Sequence, residues 1–166
     1  MATAVLAKRL GMTVLSTTRD RARDEMLRRI GVDHPLVDDG DVATQVRDLF
    51  PDGVDTALEL VGTPTLPDTL RSTRVHGVVC FTGMLSNQWT VRDFYPIEYL
   101  PRGVRLTAYG GDATDLSVPV LQDFLDAVAA GDAIVPIHHV YALDDIAVAH
   151  ADMEAGRAAG KLVVAL

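Results

Sequence analysis

Residues 1–20 read MATAVLAKRLGMTVLSTTRD, a helix pattern and a strand pattern set back to back. Ala2–Leu10 is predicted to be a helix that Gly11 stops, and Thr13–Thr17 (TVLST) is a short β-branched run that reads as a buried strand. In an α/β protein, a helix that leads into a strand normally has a strand and a turn before it. Here only Met1 precedes the helix. The expectation is that the chain enters an α/β unit partway through.

The same alternation continues outward. Asp20–Ile30 predicts a charged helix with Ala22, Met26, Leu27 and Ile30 inward and Gly31 at its close, and Pro35–Val37 a minimal strand. Val42–Phe50 is an amphipathic helix ended by Pro51-Asp52-Gly53, and Val54–Leu60 (VDTALEL) is the next strand. A helix over Leu66–Ser72 leads to Gly77–Thr82 (GVVCFT), whose unbroken apolar run predicts a fully buried strand. A long loop through Trp89 and Pro96 and the turn Pro101-Arg102-Gly103 precede a strand at Val104–Tyr109. Pro119 sits at a helix start, with apolar residues at helical spacing over Val120–Ala130 up to Gly131. A strand at Ile137–Tyr141, a helix over Asp144–Glu154 and a strand at Leu162–Ala165 end the chain. Strands alternating with helices mean βαβ units and a parallel, doubly wound sheet.

Composition bounds the function. The chain has 166 residues, 48% hydrophobic and 23% charged, as in a soluble globular protein, with no apolar run of membrane-spanning length and no secretion signal. A cytoplasmic location is the default expectation. Cys80 is the only cysteine, so an internal disulfide and a cysteine-rich zinc site are excluded. A net charge of -8 argues against a nucleic-acid footprint, which needs a basic face.

Four stretches, LAKRLGMTVLSTTRDRARDEMLRRIGVD, GVDTALELVG, GVVCFTGM and AHADMEAGRAAGKLVVAL, occur in an order and at spacings that resemble the C-terminal half of the medium-chain dehydrogenase/reductase superfamily. The branch they resemble is the zinc-independent quinone oxidoreductases and enoyl reductases. The resemblance implies an incomplete Rossmann-type doubly wound sheet lacking its first strand and glycine-rich turn. It also implies that residues 1–135 form an NADP-binding domain and that 136–166 is a segment packing on a catalytic domain in the family. The glycine turn that would cradle a pyrophosphate is expected to fall just before Met1.

Against that frame, Thr17, Thr18, Arg19 and Arg21 lie where a dinucleotide fold reads the adenosine ribose. An acidic residue at that strand tip suits NAD, whereas guanidinium forks suit a 2′-phosphate, so the expected cofactor is NADP(H). Asp20 is a countersignal, since it would repel a phosphate if turned inward; the bland alternative makes Thr18 a helix cap and the arginines a solvated face. Val61 and Gly62 close the fourth strand of the family order, and Thr82, Gly83 and Met84 follow the fifth; the resemblance places both against the cofactor, with ordinary turns as the alternative. Tyr109-Gly110-Gly111 looks like a neighbouring wall of the same crevice. Glu59 has no carboxylate or His near it in sequence and reads as hydrogen-bonded structure, not as an acid.

His138 and His139 are adjacent, so in a strand they face opposite ways, and no other spacing suggests a metal site. His150 and Lys161 match family positions and read as structural or solvated, and Trp89 and Tyr95 read as cappers of a core or interface. No catalytic acid or base is nominated. The resemblance implies hydride transfer from NADPH to a quinone or α,β-unsaturated carbonyl, with this fragment inactive alone. The alternative is a non-catalytic truncated module. Unpaired strand edges at Thr13–Thr17 and Val54–Leu60, together with an uncovered apolar face over 136–166, predict self-association.

Overall fold

The computed structural model describes residues 1–83 and 85–166. In chain order the elements are α1 (Ala2–Arg9), β1 (Leu15–Thr18), α2 (Asp24–Arg29), β2 (His34–Val37), α3 (Val42–Leu49), β3 (Val54–Glu59) and α4 (Leu66–Ser72). They continue with β4 (Thr73–Phe81), α5 (Pro96–Tyr99), β5 (Arg105–Ala108), α6 (Val118–Ala130), β6 (Ile137–Ala142), α7 (Ile146–Glu154) and β7 (Lys161–Ala165). Every strand pairing is parallel: β1 with β2, β3 with β4, β4 with β5, and β6 with β7. This is the alternation and strand sense of the doubly wound α/β fold that the sequence predicts.

Local chemistry explains the element ends. The Asp41 carboxylate accepts the Thr44 N–H and starts α3. Pro119 occupies the first turn of α6, and Gly131, at φ +84°, ends it in the left-handed conformation. Asp20 accepts the Ala22 N–H at 2.9 Å, which starts a 3-10 turn at Arg21–Arg23 ahead of α2. The continuous helix predicted from Asp20 is therefore two pieces.

The chain divides into two compact units, Met1–Val37 with Leu116–Leu166, and Asp38–Asp115. The first is built on Ala4 and Val5 of α1, Val14, Leu27 and Ile30, Val32, and Ala127 of α6. Lys8 and Val14 both donate to Asp33, at 2.6 and 2.9 Å, which ties α1 and the entry to β1 to the start of β2. The C-terminal segment belongs to this unit: Tyr141 of β6 donates to Asp152 of α7 at 2.5 Å, and Arg23 donates to the Gly156 carbonyl at 3.0 Å.

The second unit has the sheet order β3-β4-β5 with a core of Leu66, Leu70, Val79 and Val104. Leu70 and Val79 are wholly buried. Here three sequence expectations are corrected. The strand placed at Gly77–Thr82 begins earlier, at Thr73, and is not buried on both faces: Gly77 and Val79 are inside, whereas Val78 and Cys80 are half-exposed. The reason is the period of two, which puts only alternate residues against Leu66 and Leu70. Pairing also slips between Val54–Thr73 and Thr56–Val78, and His76 takes φ +65° within the extra residues. The loop through Pro96 contains a one-turn helix, α5, which starts at that proline. The last strand of this unit, β5, pairs with β4 alone among the described residues and is exposed along its whole length. Among the described residues β1 pairs with β2 alone and β3 with β4 alone, so each has one unpaired edge.

Candidate functional site

In the second unit, the carboxyl end of β3 and the segment after β4 are brought together. Val61 and Gly62 continue from β3, and Thr82 and Gly83 continue from β4, as the parallel register Glu59–Phe81 requires. The Thr82 and Gly83 N–H groups both donate to the Glu59 carbonyl, at 3.0 and 2.9 Å, and Ser86 N–H donates to the Val61 carbonyl at 2.9 Å. Farther along, the Thr63 hydroxyl donates to the Gln88 carbonyl at 3.2 Å. Met84 lies outside the described residues.

The glycines at this rim are required by protein, not by open space. A Cβ on Gly83 would run into the Leu60 backbone, and one on Gly62, at φ +130°, would stand 2.6 Å from the Ser86 hydroxyl oxygen. At both glycines the group that comes close is the neighbouring segment of the protein. Gly62 is buried, Thr82 and Gly83 are half-buried, and Val61 is exposed.

Beneath them lies Glu59, only 3% exposed. Its Oε1 accepts the N–H groups of Val61 and Gly62, at 2.7 and 3.0 Å, and the Thr65 hydroxyl at 2.8 Å. Its Oε2 accepts the Thr69 hydroxyl at 2.5 Å. Glu59 is hydrogen-bonded structure, as the sequence predicts. Thr65 stands at the start of α4 without capping it, because its hydroxyl is committed to Glu59 and to the Gly62 carbonyl. The Tyr99 hydroxyl is buried in the same unit with no hydrogen-bond partner among the described residues. Burial first, and the negative charge of Glu59 second, push its pKa above the ordinary phenol value. The third segment, Tyr109-Gly110-Gly111, follows β5 and is exposed, with Tyr109 N–H donating to the Phe81 carbonyl at 2.9 Å.

In the first unit, Thr17 and Thr18 end β1, paired with Leu36 and Val37 of β2. The Thr18 hydroxyl accepts the Asp20 N–H and donates to the Asp20 carbonyl, both at 3.2 Å, and so turns the chain. Asp20, not Thr18, is the cap. Its carboxylate is held by the Ala22 N–H. Arg19 and Arg21 are both exposed, and no hydrogen bond or ion pair holds either guanidinium among the described residues. Arg23 and Arg28, by contrast, are engaged by the Gly156 carbonyl and by Asp24. The tip therefore presents two free cations and a carboxylate already in use. Such a tip can hold a phosphate monoester by forked hydrogen bonds.

Among the described residues no group of three or more His, Cys, Asp or Glu side chains comes together as a metal site would require. His139 packs edge-on against Tyr141 with ring centroids 4.5 Å apart. No helix among the described residues is long and apolar enough to cross a membrane.

Solved structures share this architecture over nearly the whole chain. A mycobacterial quinone oxidoreductase is 25% identical with a TM-score of 0.78, covering 98% of this chain and 52% of its own. A mycobacterial protein solved in complex with NADPH is 24% identical with a TM-score of 0.75 and the same two coverages. An NAD-dependent alcohol dehydrogenase is 20% identical with a TM-score of 0.82, covering 99% of this chain and 47% of its own. The chain thus spans about half the length of these proteins. No curated protein matches it significantly. The fold is the Rossmann-like α/β fold of the dehydrogenases. A model of the zinc-binding dehydrogenase family matches residues 30–164, which take in both units, the second of them whole, and the chain belongs to that family.

Proposed function

We propose that the chain is the cofactor-binding portion of an NADPH-dependent oxidoreductase that transfers hydride to a quinone or an α,β-unsaturated carbonyl. One observation carries the choice of cofactor: among the described residues no hydrogen bond or ion pair holds Arg19 or Arg21 at the tip of β1, while Asp20, in the same turn, accepts the Ala22 N–H. An adenosine 2′-phosphate suits that arrangement, and a ribose hydroxyl would want an acceptor in its place. When bound, the dinucleotide supplies the hydride. The residues proposed to hold it are Thr17, Thr18, Arg19 and Arg21 at one end, and Val61, Gly62, Thr82, Gly83 and Met84 at the other. The family name carries a zinc ion, for which the described residues gather no group of three or more His, Cys, Asp or Glu donors.

Both an NADPH complex and an NAD-dependent enzyme stand among the similar structures. The deciding experiment is a titration of the purified chain with NADPH and with NADH, read by calorimetry. Tighter binding of NADPH is expected. Equal or tighter binding of NADH would overturn the assignment of Arg19 and Arg21, and binding of neither would overturn the functional reading.

A second reading has its own observation. In the C-terminal segment, Ile137, Val140, Leu143, Ile146 and Val148 are all exposed large apolar side chains. Exposed apolar side chains in this number ask for a cover. In this reading 136–166 packs on a further domain in the complete enzyme, and the chain alone covers the face by self-association. Light scattering after size exclusion tests it, with a dimer or larger species expected and a stable monomer counting against it.

A further inference from the structure

We infer that Glu59 is a positioning residue that holds Val61-Gly62 and Thr82-Gly83 together as one wall, an inference that rests on the cofactor reading above for what the wall receives. The side chain reaches forward to the N–H groups of Val61 and Gly62, and the carbonyl of the same residue takes the N–H groups of Thr82 and Gly83. One residue thus accepts from four rim donors, two on each of two different segments. Thr65 and Thr69, four apart on the same helix face, hold the carboxylate from below.

Stability alone does not account for this residue. All four groups bonded to the carboxylate are neutral, so a buried negative charge is held without a cation, and taking a carboxylate out of water is costly. A threonine or leucine here would fill a strand end without that cost. What a carboxylate adds is acceptor capacity: two oxygens with about four lone-pair sites, enough for every donor present. The tightness of the rim agrees. Gly83 lies against the Leu60 backbone so closely that no side chain fits, so any movement of the Glu59–Gly62 turn displaces Gly83 with it.

The test compares Glu59→Ala, which removes all four bonds, with Glu59→Gln, whose amide oxygen can keep the three Oε1 bonds while its NH2 donates to Thr69. Amide hydrogen exchange and NADPH titration are measured on each full chain. The expected result for Glu59→Ala is at least a tenfold loss of protection at all four amides, Val61, Gly62, Thr82 and Gly83, and at least a tenfold weaker NADPH Kd. Glu59→Gln is expected to stay within threefold of wild type in both. Loss of protection confined to Val61 and Gly62 overturns the inference, because the carbonyl bonds would then be independent of the side chain. Unchanged NADPH affinity in Glu59→Ala overturns it as well. If Glu59→Ala does not fold, Thr65→Val, which deletes one of the donors to Oε1, must raise exchange at all four amides together or the inference falls. Failure of the wild-type chain to bind either dinucleotide is a different outcome: it removes the functional reading, and the role of Glu59 toward a cofactor with it.

Discussion

The two strand tips proposed to meet a dinucleotide are built in opposite ways. At the tip of β1 the polar atoms are left over: Arg19 and Arg21 are exposed and make no hydrogen bond or ion pair among the described residues, while Thr18 and Asp20 bond locally. At the tips of β3 and β4 nearly everything is committed inward. The N–H groups of Val61, Gly62, Thr82, Gly83 and Ser86 all have protein acceptors, and Glu59 is buried beneath them. The first arrangement suits capture of a charged group by electrostatics, with little demand on the scaffold. The second suits shape: a surface whose donors are already used can receive a flat, weakly polar group only by fitting it.

The largest expected difference between the two lies in stability. Gly83→Ala puts a methyl into the Leu60 backbone, and the cost should be about 3–5 kcal/mol or a failure to fold. Gly11→Ala, in the turn between α1 and β1 of the unit that carries the β1 tip, has φ +77° but open space around it and should cost only about 1–2 kcal/mol from the backbone conformation. Urea unfolding of the two variants measures this. A Gly83→Ala chain as stable as Gly11→Ala would mean that the rim yields, and the contrast drawn above would be wrong.

How legible each tip is in the sequence follows from the same contrast. The β1 tip is local: five consecutive residues carry its threonines, arginines and capping aspartate, and a reading of Thr17–Arg21 reaches all of them. The bland alternative makes Thr18 the cap of the next turn, and the Ala22 N–H shows that Asp20 caps it. The β3–β4 rim is not local. Gly62 and Gly83 are recognisable as glycines in turns, but what each must clear lies more than twenty residues away, at Ser86 and Leu60. Glu59 reads in sequence as hydrogen-bonded structure, but which groups it bonds is not legible there, because its partners are hydroxyls and backbone N–H groups. The signal that could have found it is the pair Thr65 and Thr69, spaced one helical turn apart just after a strand ending in an acid. The bulge around His76 and the half-exposed Val78 and Cys80 had no signal at all, since an unbroken apolar run does not say which face is covered.

Of intermediate size is the effect of removing the arginines. Arg19→Ala with Arg21→Ala changes two exposed side chains and breaks no hydrogen bond or ion pair among the described residues, so unfolding free energy should move by no more than about 0.5 kcal/mol. NADPH affinity should fall about 10- to 100-fold, the range for one or two charge-assisted bonds of about 1.5–3 kcal/mol in all. NADH affinity should stay within about threefold of wild type. Calorimetric titration with both dinucleotides reads this out, and an equal loss for both would show that the arginines support the fold of the tip instead of reading a phosphate.

The smallest effect concerns pH, and it asks whether the β1 tip depends on its own scaffold. Asp33 takes the Lys8 ammonium and the Val14 N–H, and these hold its carboxyl below the ordinary value of 3.8, the hydrogen bond to Lys8 more than that to Val14. A carboxylate whose folded pKa is depressed contributes stability above its unfolded pKa and loses it as pH falls through the folded one. Asp152 is depressed in the same unit, by the Tyr141 hydroxyl and then by Arg157. Asp33→Asn should therefore be less stable than wild type at pH 7 and should lose less on acidification below pH 3.8, with Asp152 supplying the slope that remains. Because the Asp33 side chain meets water, screening keeps the change small, and it should shrink further in salt. Urea midpoints at two pH values and two salt concentrations would show it. If Asp33→Asn instead abolished the NADPH preference without moving the acid slope, the β1 tip would depend on the α1–β2 tie for its geometry, and its readiness to bind a phosphate would not be the local property that its five residues suggest.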